Sequence, residues 1–253
     1  MKQQKQKERY FSAGELALWG GSLAVAFLSS LFSGNAFWLP ENLLTLTDSL
    51  IGVTALIFNA KGNPFGQVLM IAFSILYGII SYSFSYYGEM LTYLGMSMPM
   101  AVCCLISWLR NPYHGNKSEV RVNRIRKREH VLMWGLAIAV TVGFYFVLRY
   151  FNTANLLPST LSVTTSFAAV YLTFRRSPYY AIGYAANDLV LILLWLLAAA
   201  DDPSYLSVAA CFFAFLVNDI YGFVSWRRME RRQNAAFRQK ETAEADCINP
   251  PNG

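Results

Sequence analysis

The chain has 253 residues, of which 55% are hydrophobic and only 14% charged, and its formal net charge is +6. A soluble domain carries about a quarter of its residues as charges, so a mean hydropathy of +0.33 excludes an ordinary soluble protein. No charge falls between Glu15 and Glu41, Lys61 and Glu89, Glu89 and Arg110, or Arg149 and Arg175, and these gaps suit helices of about 20 apolar residues that cross a bilayer.

Eight spans are predicted in chain order. The first, 16–38, follows the basic stretch MKQQKQKERY. Its basic start, apolar stretch and SGNAF also suit a signal peptide cleaved near Ala36, but the apolar run is long for that and a retained helix is favoured. Spans follow at 43–60, 65–87 and 90–109. A polar, basic loop, NPYHGNKSEVRVNRIRKREH (111–130), leads to span five at 131–149. Spans six to eight are placed at 157–174, 179–200 and 205–226. The charged tail with two prolines reads as disordered from about 230. None of these runs alternates as the strands of a porin-like barrel do.

Lys and Arg mark cytoplasmic loops. The N-terminus, Lys61, the basic loop, Arg175-Arg176 and the cluster after Trp226 then fall on one side. YYGEM and the acidic pair Asp201-Asp202 fall on the other. Both termini are expected to be cytoplasmic. Because the basic clusters sit where topology requires them, they do not indicate nucleic acid. The four cysteines form no spaced framework and no zinc-type cluster with histidine. His114 and His130 receive no ligand role.

LTLTDSLIGVTALIFNAKGNP (44–64) lies over PSTLSVTTSFAAVYLTFRRSP (158–178) without a gap. Each is followed by a long span rich in Tyr or Trp, and then by a span ending in Ser-Trp and a basic residue, ISWLR and VSWRR. Spans two to four therefore repeat as spans six to eight. One helix between the triplets makes them parallel, an arrangement in which transporters hold substrate at the repeat interface.

Ionisable groups in mid-span are costly and mark function. Asp188 and Asp219 each follow an asparagine, Asn187 and Asn218. Trp195 shares a helical stripe with Asn187, and Tyr221 one with Asn218. The Tyr-rich third span adds Tyr77, and the first Ser-Trp adds Trp108. Rings stack on Trp and Tyr, and amides and carboxyls hold hydroxyls or an amide, so the set suits a neutral, aromatic, hydrogen-bonding ligand. The alternative for each polar group is a hydrogen bond to a neighbouring helix. Asp48, near a span end, reads as interfacial. Without a phosphate-binding glycine loop, HExxH or nucleophile elbow, no enzyme is expected, and no cofactor or metal.

NAKGNPFGQVLMIAFSILYGIISYSFSYYGEML and MPMAVCCLISWLRN, with TTSFAAVYLTFRRSPYYAIGYAANDLVLILLW and VNDIYGFVSW, resemble the two repeats of the PnuC family of vitamin transporters over about residues 40–228. The resemblance implies an all-α membrane fold with a parallel, SWEET-like 3+1+3 repeat, here with one extra N-terminal helix, often as a homotrimer in a bacterial inner membrane. It implies uptake of nicotinamide riboside, an NAD precursor, by facilitated diffusion, with phosphorylation by a separate kinase trapping the substrate. Related members carry thiamine, riboflavin or deoxynucleosides. Asn187, Trp195, Asn218 and Tyr221 match the family pattern, whereas Ala101 and Leu105 stand where a glutamine and a tryptophan are usual. The expected segments are 1–42 (N-terminus and extra helix), 43–109 (first repeat), 110–156 (basic loop and linker helix), 157–228 (second repeat) and 229–253 (disordered tail). A non-transporting receptor or scaffold is the alternative of a different class.

Overall fold

A computed structural model describes residues 10–31, 38–83, 86–153, 155–200 and 203–248. The basic residues before Tyr10, the cleavage site at Ala36 and the pair Asp201-Asp202 lie outside them.

Among the described residues, eight helices are long and apolar enough to cross a membrane. They are α1 (Ala13–Leu31), α2 (Pro40–Ala60), α3 (Phe65–Ser83), a fourth span built in three pieces, α6 (Lys127–Tyr150), α7 (Leu156–Phe174), α8 (Tyr180–Ala199) and α9 (Leu206–Ile248). The fourth span runs through α4 (Tyr87–Thr92), a π-helical turn (Tyr93–Ser97) and α5 (Met98–Leu109). Pro99 follows the π turn. It has no N–H to continue an α-helical ladder, and the widened turn absorbs the mismatch.

Helices α2, α3, α7, α8 and α9 pack on one another, and α5 packs on α3 and α7. Helix α1 lies in the groove between α2 and α9. Its bonds there are polar: Trp19 Nε1 donates to Thr54 Oγ1 at 3.3 Å, and Asn218 Nδ2 to Ser22 Oγ at 2.7 Å. Helix α6 packs on α7 and leaves Val131, Trp134, Ile138, Val142 and Phe146 exposed at helical spacing. Such a stripe belongs in hydrocarbon.

The Ser-Trp ends explain themselves at one end of the bundle. Trp108 Nε1 donates to the carbonyl of Thr173 at 2.9 Å, and Trp226 Nε1 to that of Asn59 at 2.7 Å. Ser107 Oγ donates to Phe174 O, and Ser225 Oγ to Ala60 O. Each Ser-Trp pair thus holds the last carbonyls of a helix from the other triplet, where a helix terminus has none of its own partners. The two indoles meet at 5.4 Å between centroids. One constant offset along the chain relates Asn59 to Thr173, Ala60 to Phe174, Gly62 to Arg176, and also Glu15 to Glu129 and Lys61 to Arg175. Glu15 pairs with Lys61, and Glu129 with Arg175. Gly62 and Arg176 both adopt left-handed backbone, with φ of 65° and 57°.

The basic loop is ordered by these turns. A two-residue turn at His114-Gly115, both at positive φ, closes a hairpin of β1 (Pro112–Tyr113) and β2 (Asn116–Val120), as short hairpins prefer. Val120 N–H then donates to Gly62 O and Asn123 N–H to Arg176 O. Gly62 cannot be replaced cheaply, since its left-handed φ of 65° strains any other residue, and an added Cβ would also crowd Met229 and Val120. Burial, with Arg175 and Arg121 beside it, lowers the pKa of Arg176.

The tail departs from its expectation. A disordered segment was predicted from 229, yet α9 continues to Ile248. Its first turns beyond Arg228 are held by the basic loop. Glu230 accepts from Arg124 Nε at 2.6 Å and Arg227 Nη1 at 2.5 Å, and Gln233 bonds Val122 N–H and Val120 O. Composition alone could not anticipate partners more than a hundred residues away.

Candidate functional site

Midway along the bundle, α2, α3, the π turn and α7–α9 surround a cavity of about 40 Å3. Gly52 lets two rings close against α2 at its edge, since a Cβ there would meet Phe215 Cζ at 2.6 Å and Phe73 at 3.0 Å. Phe73, Tyr93, Tyr184, Phe212 and Phe215 form its aromatic wall, and the π turn presents Tyr93 and Ser97 to it. The polar wall is Asn187, Asp188 and Asp219. No basic side chain is among the lining residues.

These polar groups are buried, at 3%, 4% and 3% exposure for Asn187, Asp188 and Asp219. Asn187 Oδ1 accepts from Thr165 Oγ1 at 2.8 Å and Ser166 Oγ at 2.9 Å. The amide is thereby fixed with its nitrogen free to point elsewhere. The carboxyls of Asp188 and Asp219 lie within hydrogen-bonding reach of each other. Asp188 Oδ2 has no hydrogen-bond partner among the described residues. A buried acceptor without a partner is costly, and Asp188 is one of the residues that line the cavity.

Of the eight residues singled out from the sequence, three line this cavity: Asn187, Asp188 and Asp219. Trp195 and Tyr77 sit one layer toward the far end. The indole donates to the Tyr77 hydroxyl at 2.9 Å, and Trp195 packs on Tyr86 and Tyr205. Trp108 lies toward the basic end, stacked near Trp226, which packs on Tyr180. None of these aromatic side chains lines the cavity itself. Asn218 and Tyr221 face α1 instead. Besides Ser22, Asn218 Nδ2 bonds Ala214 O, and Tyr221 Oη donates to Glu15 Oε1 at 2.8 Å. Adjacent positions on a helix point about 100° apart, so Asn218 and Asp219 cannot both serve one side.

Several residues had no sequence signal. Gly52, Tyr93 and Ser97 reach the cavity only through packing, whereas Ser166 lies in the TTS stretch that carries the resemblance. Ala101, where the family usually has glutamine, also lines it. Asp48, expected at the interface, is 3% exposed and lines a small side cavity separated from the central one by shared rings of Phe73, Phe212 and Phe215. Glu89 lies in YYGEM, which was expected outside, and is fully buried. Its Oε1 accepts from Ser162 Oγ at 2.9 Å. Among the described residues no group of His, Cys, Asp and Glu could hold a metal.

The model of the nicotinamide mononucleotide transporter family matches residues 42–228, which is most of the chain. The nicotinamide riboside transporter PnuC of Neisseria mucosa is 23% identical over 230 residues, covering 89% of this chain and 84% of its own. The protein of the same name from Haemophilus influenzae is 22% identical over 200 residues, with 77% and 84% covered. A crystal structure of the vitamin B3 transporter PnuC superposes with a TM-score of 0.76 at 19% identity, covering 88% of this chain and 94% of that one. It shares the fold. With its apolar spans and its enclosed cavity, the chain belongs to the nicotinamide mononucleotide transporter (PnuC) family and is a multi-pass membrane transporter, not an enzyme.

Proposed function

We propose that the central cavity carries nicotinamide riboside across a bacterial inner membrane. The observation that carries this reading is the lining: five aromatic rings, one oriented amide, two facing carboxyls and no basic side chain. A pyridinium ring is aromatic and cationic. It gains from the faces of Phe and Tyr and from the single negative charge that two carboxyls sharing a proton can carry. Asn187 suits the carboxamide or a ribose hydroxyl. The names of the relatives agree with this ligand. Thiamine, also a cation, is the second choice on the same observation. Riboflavin and deoxynucleosides lack the charge.

The free space is far below what a drug-sized ligand occupies. Loading therefore requires Phe73, Phe212 and Phe215 to swing aside, which also joins the Asp48 side cavity to the central one. The reciprocal Ser-Trp bonds support a parallel repeat of the SWEET-like 3+1+3 type, with α2–α5 and α7–α9 as its halves. The matched pairs Glu15–Lys61 and Glu129–Arg175 extend the duplication to α1 and α6, so that the extra helix and the linker helix are equivalents. Rocking one half against the other, with the Trp108–Trp226 contact parting at the basic end, opens the cavity to alternate sides. Facilitated diffusion with cytoplasmic phosphorylation, both termini cytoplasmic and a homo-oligomer such as a trimer complete the proposal.

Purified protein in nanodiscs, titrated with nicotinamide riboside, thiamine, riboflavin, neutral nicotinamide and adenosine, tests it. Saturable binding is expected for nicotinamide riboside and weaker or no binding for nicotinamide and adenosine. If none of the five binds, the polar groups merely bridge helices and the receptor or scaffold reading takes over.

A further inference from the structure

At the basic end of the bundle lies a second, larger cavity of about 460 Å3. Tyr10, the Lys61 turn, the β-hairpin and α9 enclose it. Its volume is that of small-molecule sites and leaves much more room than a bare inorganic ion needs. Three cations line it, Lys61, Arg228 and Arg232, against one carboxylate, Glu119.

The cations differ in how far they are already satisfied. Lys61 Nζ donates to both oxygens of Glu15, at 2.9 and 3.0 Å. Arg232 Nη2 donates to Glu119 Oε1 at 2.5 Å, an oxygen that also accepts from Gln233 Nε2. Arg228 has no ion-pair partner among the described residues, although its neighbour Arg227 pairs with Glu230. The cavity therefore keeps surplus positive charge, with a free guanidinium on its rim. Asn116, Ser118 and Ser225 add polar groups, and Tyr10 and Met229 add apolar surface.

We propose that this cavity is a second ligand site, for a phosphate monoester of nucleoside size. Arg228 and Arg232 take the phosphate, which the guanidinium fork matches in shape and charge. Tyr10, Met229 and the Asn116–Ser118 edge face the ribosyl and ring portion. A ligand there ties the hairpin and the Lys61 turn to α9, close to the Ser225–Ala60 bond that joins the two halves. Occupancy thus holds this end of the bundle shut. That the cavity faces the compartment where the transported nucleoside becomes a phosphate monoester rests on the transport reading above. The binding itself does not.

The headgroup of an anionic lipid offers related phosphate chemistry, so the test separates the two. Full-length protein in phosphatidylcholine nanodiscs is titrated calorimetrically with adenosine 5′-monophosphate, adenosine and inorganic phosphate. Saturable binding of the monophosphate, none of adenosine, and competition by phosphate are expected. Arg228→Gln should weaken the monophosphate at least tenfold without lowering Tm, and Arg228→Lys should restore part of the loss. Affinity for nicotinamide riboside should be unchanged in Arg228→Gln, so failure of either site is visible independently of the other. Equal binding to wild type and Arg228→Gln, or no monophosphate binding, overturns the proposal. So does a tenfold loss of monophosphate binding in phosphatidylglycerol nanodiscs, which would assign the cavity to lipid headgroups.

Discussion

Asn218 and Asp219 are neighbours in sequence and serve different sides of one helix. Asp219 faces the cavity with Asp188, and Asn218 bonds Ser22 of α1. Their substitutions should separate. Asp188→Asn and Asp219→Asn keep shape and hydrogen-bonding capacity but remove the carboxyl, and should weaken nicotinamide riboside at least tenfold by calorimetry while Tm moves little. Asn218→Leu leaves Ser22 and the Ala214 carbonyl without their donor, a loss of about 1–3 kcal/mol. It should lower Tm and leave ligand affinity within about twofold. A tenfold loss of affinity in Asn218→Leu would return that residue to the site. Gly52→Val is a third case. Its side chain would enter the space held by Phe215, and binding should be lost.

Helix ends carry the energetics at the next scale. Trp108 and Trp226 make equivalent bonds, each to a carbonyl in the other half. Interhelical hydrogen bonds in membranes contribute about 0.6 to 2 kcal/mol. Trp108→Phe and Trp226→Phe should therefore destabilise by similar, modest amounts in thermal unfolding. A large asymmetry would count against reciprocal halves. Helix α9 offers a sharper test, because Glu230 and Gln233 hold the basic loop. Truncation after residue 229 should lower Tm by several degrees and expose the loop to protease, and truncation after 239 should do neither. The Ser-Trp spacing was visible in the chain, but its purpose was not, since each partner carbonyl lies more than sixty residues away.

Across the whole molecule, the proposed transport requires the bundle to open at its two ends in turn. In proteoliposomes, nicotinamide riboside should equilibrate across the membrane, and a proton ionophore should leave the rate unchanged. Collapse of uptake with the ionophore would instead make the Asp188–Asp219 pair a proton carrier. The amino-acid sequence by itself determined the class and the eight spans, and it carries the end markers on which the proposed repeat rests. Hydrocarbon excludes charge over a fixed thickness, so span number is written in the charge gaps, and a duplicated scaffold keeps its end markers in register. It also pointed to Asn187, Asp188 and Asp219, because buried polar groups are rare enough in such helices to stand out. Only the tertiary structure decided which face of α9 meets the cavity, that Asp48 and Glu89 are buried, and that the tail folds on the basic loop. In membrane helices apolar side chains face both lipid and protein, so periodicity does not say which side is inside. Rotation about each helix axis is set by packing against its neighbours, and no local pattern encodes it.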